Sequence, residues 1–189
     1  MCALHYHAPE MADLTSRAIA LLAQGDLDGA RALFQFDLDQ EAATFGADSP
    51  VLAIELSNLG NVLAEQHDLA GARAVLERSL ALHERMYGPD DPEVAFDLGN
   101  LGLVLQDLGE FDAARGTFER ALAIQRAALG DDHPSVGIAL ANLAGLVRQA
   151  GDVNAGYAML RRANRILERR LGPTHPSSRA TRAALRRLQ

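Results

Sequence analysis

The chain has 189 residues, 48% hydrophobic and 23% charged, a balance that suits a folded soluble domain and excludes a disordered one. The single cysteine, Cys2, excludes an internal disulfide framework and a multi-cysteine zinc site. The net charge of −7 is unevenly spread: residues 1–152 hold 24 acids against nine Arg, whereas 153–189 hold Glu168 against nine Arg.

Residues 1–10 open the chain without a basic segment followed by an apolar run, so no signal peptide is expected. No later stretch approaches 18 uninterrupted apolar residues, so no membrane span is expected, and the expected location is the cytoplasm. All 18 basic residues are Arg, which together with abundant Ala and Gly suggests a GC-rich, bacterial coding sequence. Cys2, His5 and His7 stand close together, but a ten-residue terminal tail reads as a flexible end, and no metal or other cofactor is expected.

From residue 11 onward the sequence repeats every 42 residues. Gly46, Gly88, Gly130 and Gly172 mark the period, each followed four residues later by Pro50, Pro92, Pro134 and Pro176. Leu59, Leu101, Leu143 and Leu185 fall in phase, as do Arg31, Arg73 and Arg115. The expected organisation is one domain over 11–189. It comprises a half-copy at 11–45, full copies at 46–87, 88–129 and 130–171, and a capping helix at 172–189. A fixed period of this size marks a solenoid, whose units bury their apolar faces only against neighbours.

Each copy reads as two helices. The prolines suit a first helical position, which makes Ser49, Asp91, His133 and His175 the N-caps; Ser and Asp are strong caps and His a weaker one. In the second full copy the first helix is predicted over 92–108, with Val94, Leu98, Leu101, Val104, Leu105 and Leu108 as its apolar stripe. Gly109 ends it. The second helix starts near Phe111, carries Phe111, Ala114, Phe118, Ala121, Leu122 and Leu129 on one face, and closes at Gly130. No segment alternates with period two. The prediction is an all-α, right-handed solenoid of about nine helices in antiparallel pairs.

The spacing Leu98, Leu101-Gly102, Leu105, Ala114, Phe118 and Ala121 resembles the tetratricopeptide repeat. Leu56, Leu59-Gly60, Leu63, Ala72, Leu76 and Ser79 follow it in the first full copy. Leu140, Leu143-Ala144, Val147, Gly156, Leu160 and Ala163 follow it in the third, and Leu14, Ala18, Leu21, Ala30, Phe34 and Asp37 in the half-copy. The 42-residue length, the Asn58-Leu59-Gly60 and Asn100-Leu101-Gly102 runs and the His133-Pro134 and His175-Pro176 links resemble the kinesin light chain type of that repeat. HEAT and armadillo repeats share the period but lack this Leu-Gly, Ala and aromatic spacing.

The resemblance implies a groove, lined by first helices, that holds a peptide. The expected lining is Ile54, Ser57, Asn58 and Asn61, then Phe96, Asn100 and Leu103, then Ile138, Asn142 and Arg148. Asn58, Asn100 and Asn142 recur in register, and a side-chain amide can both donate to and accept from a peptide backbone. The same amides would equally serve carbonyls or water between repeats, and the apolar residues would equally serve packing. Arg161, Arg165 and Arg169 share one helix face and could meet an anionic partner, although a terminal repeat also needs a polar outer face. His133 and His175 belong to the repeat links; His67 and His83 read as surface residues.

Three functions follow. The leading one is a protein-interaction module, an adaptor, scaffold or sensor binding a peptide segment. The second is a structural element that self-associates through its acidic and Arg-rich ends. The third is an enzyme or small-ligand receptor, for which no phosphate-binding Gly loop, nucleophile elbow or metalloprotease motif speaks. With no interleaved aromatics and a negative net charge, nucleic acid is not an expected partner.

Overall fold

The computed structural model describes residues 8–187, with side chains from Leu14 onward; Cys2, His5, His7 and most of the expected 1–10 tail lie outside the described residues. Among the described residues there are nine α-helices and no strand. The chain divides into two compact units, Met1–Pro89 and Asp90–Gln189, with the boundary in a repeat link.

The first unit holds α1 (Ala8–Gln24), α2 (Leu27–Phe45), α3 (Ala53–Glu65) and α4 (Leu69–Tyr87), with a 3₁₀ turn over Pro50–Leu52 leading into α3. The expected half-copy is thus a helix pair, α1 packing on α2, and α2 also packs on α3, which pairs with α4. Ser49 caps the 3₁₀ turn, accepting from the Val51 amide at 3.4 Å, so Pro50 opens that turn and not α3 itself, which starts at Ala53. Phe34, Leu52, Leu56, Val62 and Leu76 form the buried interior. On α4, Ser79 donates to the Ala53 carbonyl at 2.7 Å. Gly60 brings α3 close to α4, because a Cβ built there would lie 2.6 Å from Leu76 Cγ.

The second unit holds α5 (Pro92–Asp107), α6 (Phe111–Leu129), α7 (Pro134–Gln149), α8 (Val153–Leu171) and α9 (Pro176–Arg186). Asp91 caps α5 through the Glu93 amide at 2.9 Å. His133 and His175 cap α7 and α9 through Nδ1, each 3.2 Å from an amide two residues on. Gly102 faces the Phe118 ring, which a Cβ would meet at 2.5 Å. Val136, Leu140, Ala163 and Ile166 pack with Leu122 and Met159 where α6, α7 and α8 meet.

The stripes differ from expectation at their ends. Leu108, Phe111 and Leu129 are exposed, because they sit at helix termini beside turns, where little of a partner helix lies opposite. His83 is buried rather than on the surface: it occupies the core-facing place on α4 and its ring tilts against Tyr87. His67 is exposed as expected, but its φ of 62° is left-handed, at the turn position where Gly25, Gly109 and Gly151 stand in the other pairs. The caps of the second helices were not anticipated. Asp26, Asp68 and Asp152 accept from amides three residues on, at 2.9–3.0 Å, and so satisfy one orphan donor each.

Candidate peptide-binding face

On α5, Phe96, Asn100 and Leu103 fall at i, i+4 and i+7 and so share one face. Phe96 is 55% exposed and Leu103 45%, while Asn100 between them is half-buried. On α7 the same register holds Ile138, 42% exposed, half-buried Asn142, and Gly145, where a Cβ would meet nothing within 4 Å. Open space also surrounds Gly99. Large apolar side chains are thus left uncovered beside amides and small residues, on the helices that begin each repeat.

In the first unit, α3 presents Ile54, Asn58 and Asn61 in that register; Ile54 is exposed and both amides are half-buried. Asn58 has an internal partner, since its side chain hydrogen-bonds the Glu55 carboxylate. Ser57 is buried and takes no part in an exposed face. Arg148 stands apart from the α7 register: its stem lies over Gly156, on the side of α7 that meets α8.

The Arg-rich end is partly neutralised within the second unit. Arg169 pairs with Asp132 at 2.5 Å, Arg162 with Asp131 at 2.9 Å and Arg182 with Glu168 at 2.5 Å. Hydrogen bonding to Arg126 holds the Asp131 carboxyl below its usual range. Arg161 lies over the Tyr157 ring, 5.9 Å from its centroid, and Arg165 is exposed.

The repeat pattern did not single out the most unusual polar group. Asp37 and Glu41 on α2 and Glu55 on α3 are each more than nine-tenths buried. On α1, Thr15 Oγ1 lies 3.2 Å from Asp37 Oδ2 and 3.0 Å from Glu55 Oε1. Asp37 Oδ1, Glu41 Oε2 and Glu55 Oε2 have no hydrogen-bond partner among the described residues. Burial pushes all three carboxyls up, and Glu41, with Glu55 and Asp37 adding repulsion, rises to about 7. A signal existed in the sequence: Asp37 holds the core position that Ser79 and Ala121 take in later repeats. No group of three or more His, Cys, Asp or Glu among the described residues is placed to hold a metal ion.

Comparison with known proteins agrees with this architecture. The tetratricopeptide repeat family profile matches residues 10–85, 52–127 and 97–155. Two crystal structures of nearly identical TPR-like repeats, from a Podosopora anserina protein named for kinesin light chain, share 21% identity with TM-scores of 0.78 and 0.76. They cover 97% and 95% of this chain and 86% and 85% of their own. BtubC (BKLC) from P. vanneervenii shares 24% identity, with a TM-score of 0.77, over 92% of this chain and 69% of its own. No curated protein matches the sequence. At these identities the likeness is one of fold, an α-solenoid of the kinesin light chain repeat type.

Proposed function

We propose, for a chain that belongs to the tetratricopeptide repeat family, that it is a protein-interaction module whose first-helix faces hold a peptide segment. Repeats of this family generally mediate contacts between proteins. The observation that carries the finer reading is the face of the second unit: Phe96, Leu103 and Ile138 exposed around half-buried Asn100 and Asn142. Exposed apolar residues clustered on one side of a small domain mark binding surfaces. The amides supply the directional contacts that an extended backbone requires. Ile54, Asn58 and Asn61 offer the same chemistry on the first unit, where Asn58 also bonds Glu55.

Two other readings find less support. Self-association through the Arg-rich end would have to compete with the pairs that Arg162, Arg169 and Arg182 already make. An enzyme would need its shifted carboxyls near solvent, whereas Asp37, Glu41 and Glu55 are buried at the junction of α1, α2 and α3. No helix of the described residues is long and apolar enough to cross a membrane.

The test is calorimetry with a partner captured from the source cells, comparing the wild type with the Asn58/Asn100/Asn142→Ala triple variant. Each neutral hydrogen bond contributes about 0.5–1.5 kcal/mol, so each amide lost should weaken binding roughly two- to tenfold. Equal affinity in the triple variant would exclude this face. A salt-sensitive oligomer with no peptide binding would favour self-association.

A further inference from the structure

A threonine hydroxyl carries one proton, and Thr15 sets its single hydroxyl against two carboxyl oxygens, Asp37 Oδ2 and Glu55 Oε1. It serves one of them at a time. The other contact is satisfied only when a carboxyl is itself protonated and donates. Glu41 adds a third carboxyl, more than nine-tenths buried, with no hydrogen bond to its Oε2 from any described residue. All these side chains belong to the first unit.

Among the described residues, the groups that act on the cluster come from three helices. Thr15 faces it from α1, Asp37 and Glu41 from α2, and Glu55 with the Asn58 amide from α3. Among the described residues, neither α4 nor the 3₁₀ turn over Pro50–Leu52, which also pack on α3, contributes a charged group to it. With no cation among the described residues beside them, three buried carboxylates do not all ionise, because desolvation and like charge both oppose it.

We propose that the junction of α1, α2 and α3 binds a proton among Asp37, Glu41 and Glu55, and that losing this proton loosens the first helix pair. The junction then works as a proton-sensitive clasp. The folded chain holds the proton more tightly than the unfolded chain, where Glu41 would return to its ordinary value of 4.5. The stability it gives is therefore complete below that value and is lost as pH rises through about 7. Because Asn58 is bonded to Glu55, the clasp ends at a residue of the candidate peptide face, though the inference does not depend on peptide binding.

The experiment uses the full chain. Thermal unfolding is followed at about pH 6 and about pH 8.5 for the wild type and for Glu41→Gln, which keeps the shape of the side chain and removes its charge. The wild-type midpoint should fall between the two pH values by about 2–3 °C more than that of the variant. Exchange of α2 amides, corrected for its intrinsic pH dependence, should quicken about three- to tenfold in the wild type only. Since Glu41→Gln alone could misfold, carbon NMR of the wild type gives an independent reading: the Glu41 carboxyl should titrate near pH 7. Titration near the ordinary glutamate value would overturn the proposal, as would equal pH sensitivity in both proteins. So would a calcium- or magnesium-induced rise in the wild-type midpoint that the variant lacks, which would assign the cluster to a metal.

Discussion

The aliphatic stem of Arg148 on α7 crosses over Gly156 on α8, so that a Cβ built on the glycine would collide with Arg148 Cγ. The same Cβ would come within 2.8 Å of the Ala144 carbonyl oxygen. Ala30, Ala72 and Ala114 hold the equivalent place in the earlier pairs. By propensity alone, Gly inside a helix costs about 1 kcal/mol relative to Ala, which suggests a weak point. The contact reverses that expectation. Gly156→Ala should destabilise the chain by about 1–2 kcal/mol through overpacking, despite the better helix former. Adding Arg148→Ala should recover part of the loss, though not the part that comes from the Ala144 carbonyl. Chemical denaturation of the two variants checks both statements.

His67 provides the opposite case. Its φ of 62° places a side-chain-bearing residue in the left-handed region, which costs about 1–2 kcal/mol relative to an unstrained conformation. The neighbouring turns solve the same geometry with glycine. His67→Gly should remove the strain but enlarge the freedom of the unfolded chain. A net gain of about 0.5–1 kcal/mol is expected, visible as a higher midpoint in urea. A loss would show that the imidazole makes a contact worth more than the strain.

Ala114 is fully buried on α6, one turn before Phe118, and the Phe118 ring lies against Gly102 of α5. There is no slack for a larger side chain at this crossing. Ala114→Leu should cost about 1–3 kcal/mol, measured as a lower thermal midpoint with unchanged helix content at low temperature.

Much of this was legible because the period is physical. A glycine ends each second helix, a proline starts the next first helix or, at Pro50, the 3₁₀ turn that leads into it, and the cap between them is Ser49, Asp91, His133 or His175, each of which makes the bond its position demands. The cluster of Asp37, Glu41 and Glu55 was not legible by the same means. Its register positions pass to Ser79, His83 and Asp97 in the next repeat, then to Ala121, Gln125 and Ala139. A rule built on recurring residues discards positions that vary, and the hydrogen bonds from Thr15 of α1 to Asp37 and Glu55 are not marked by any repeating residue. His83 has no histidine in phase with it and so reads as a surface residue, whereas its register position is a buried one, shared with buried Glu41. Arg148 is expected in the groove because it lies beside the buried stripe of α7; its stem runs over Gly156, a contact that the repeat pattern does not mark.

The last helix should be the least protected part of its unit. On α8, Asn164 stands where Leu38, Leu80 and Leu122 stand in the other pairs, and its Oδ1 accepts from Thr181 of α9 at 3.3 Å. The buried residues of α9 are Ser178 and Thr181, and the Ser178 hydroxyl has no partner among the described residues. A polar contact stands where, at the α6–α7 junction, Leu122 packs against an apolar cluster, and solenoid stability is close to a sum over neighbours. Amide exchange should therefore be faster in 176–186 than in 111–129. Equal protection would mean that the α9 contact is stronger than its side chains imply.

Stability and binding should separate on the proposed face. Phe96 and Ile138 are about half exposed, so truncating either to Ala removes little packing and should change stability by no more than about 1 kcal/mol. If the face holds a peptide, the same truncations withdraw apolar surface that the ligand would cover, at about 25 cal/mol per Å². A loss of roughly 1–2 kcal/mol per side chain, or about five- to thirtyfold in Kd, follows. Phe111→Ala on α6 is the control, since Phe111 is similarly exposed but lies on a second helix away from the register of Phe96 and Ile138. Titration calorimetry with the captured partner, paired with thermal unfolding of each variant, distinguishes the outcomes. Weaker binding for Phe96→Ala and Ile138→Ala with unchanged binding for Phe111→Ala is the expected result. Equal effects at all three would point to general destabilisation, and no effect at Phe96 or Ile138 would move the partner off this face.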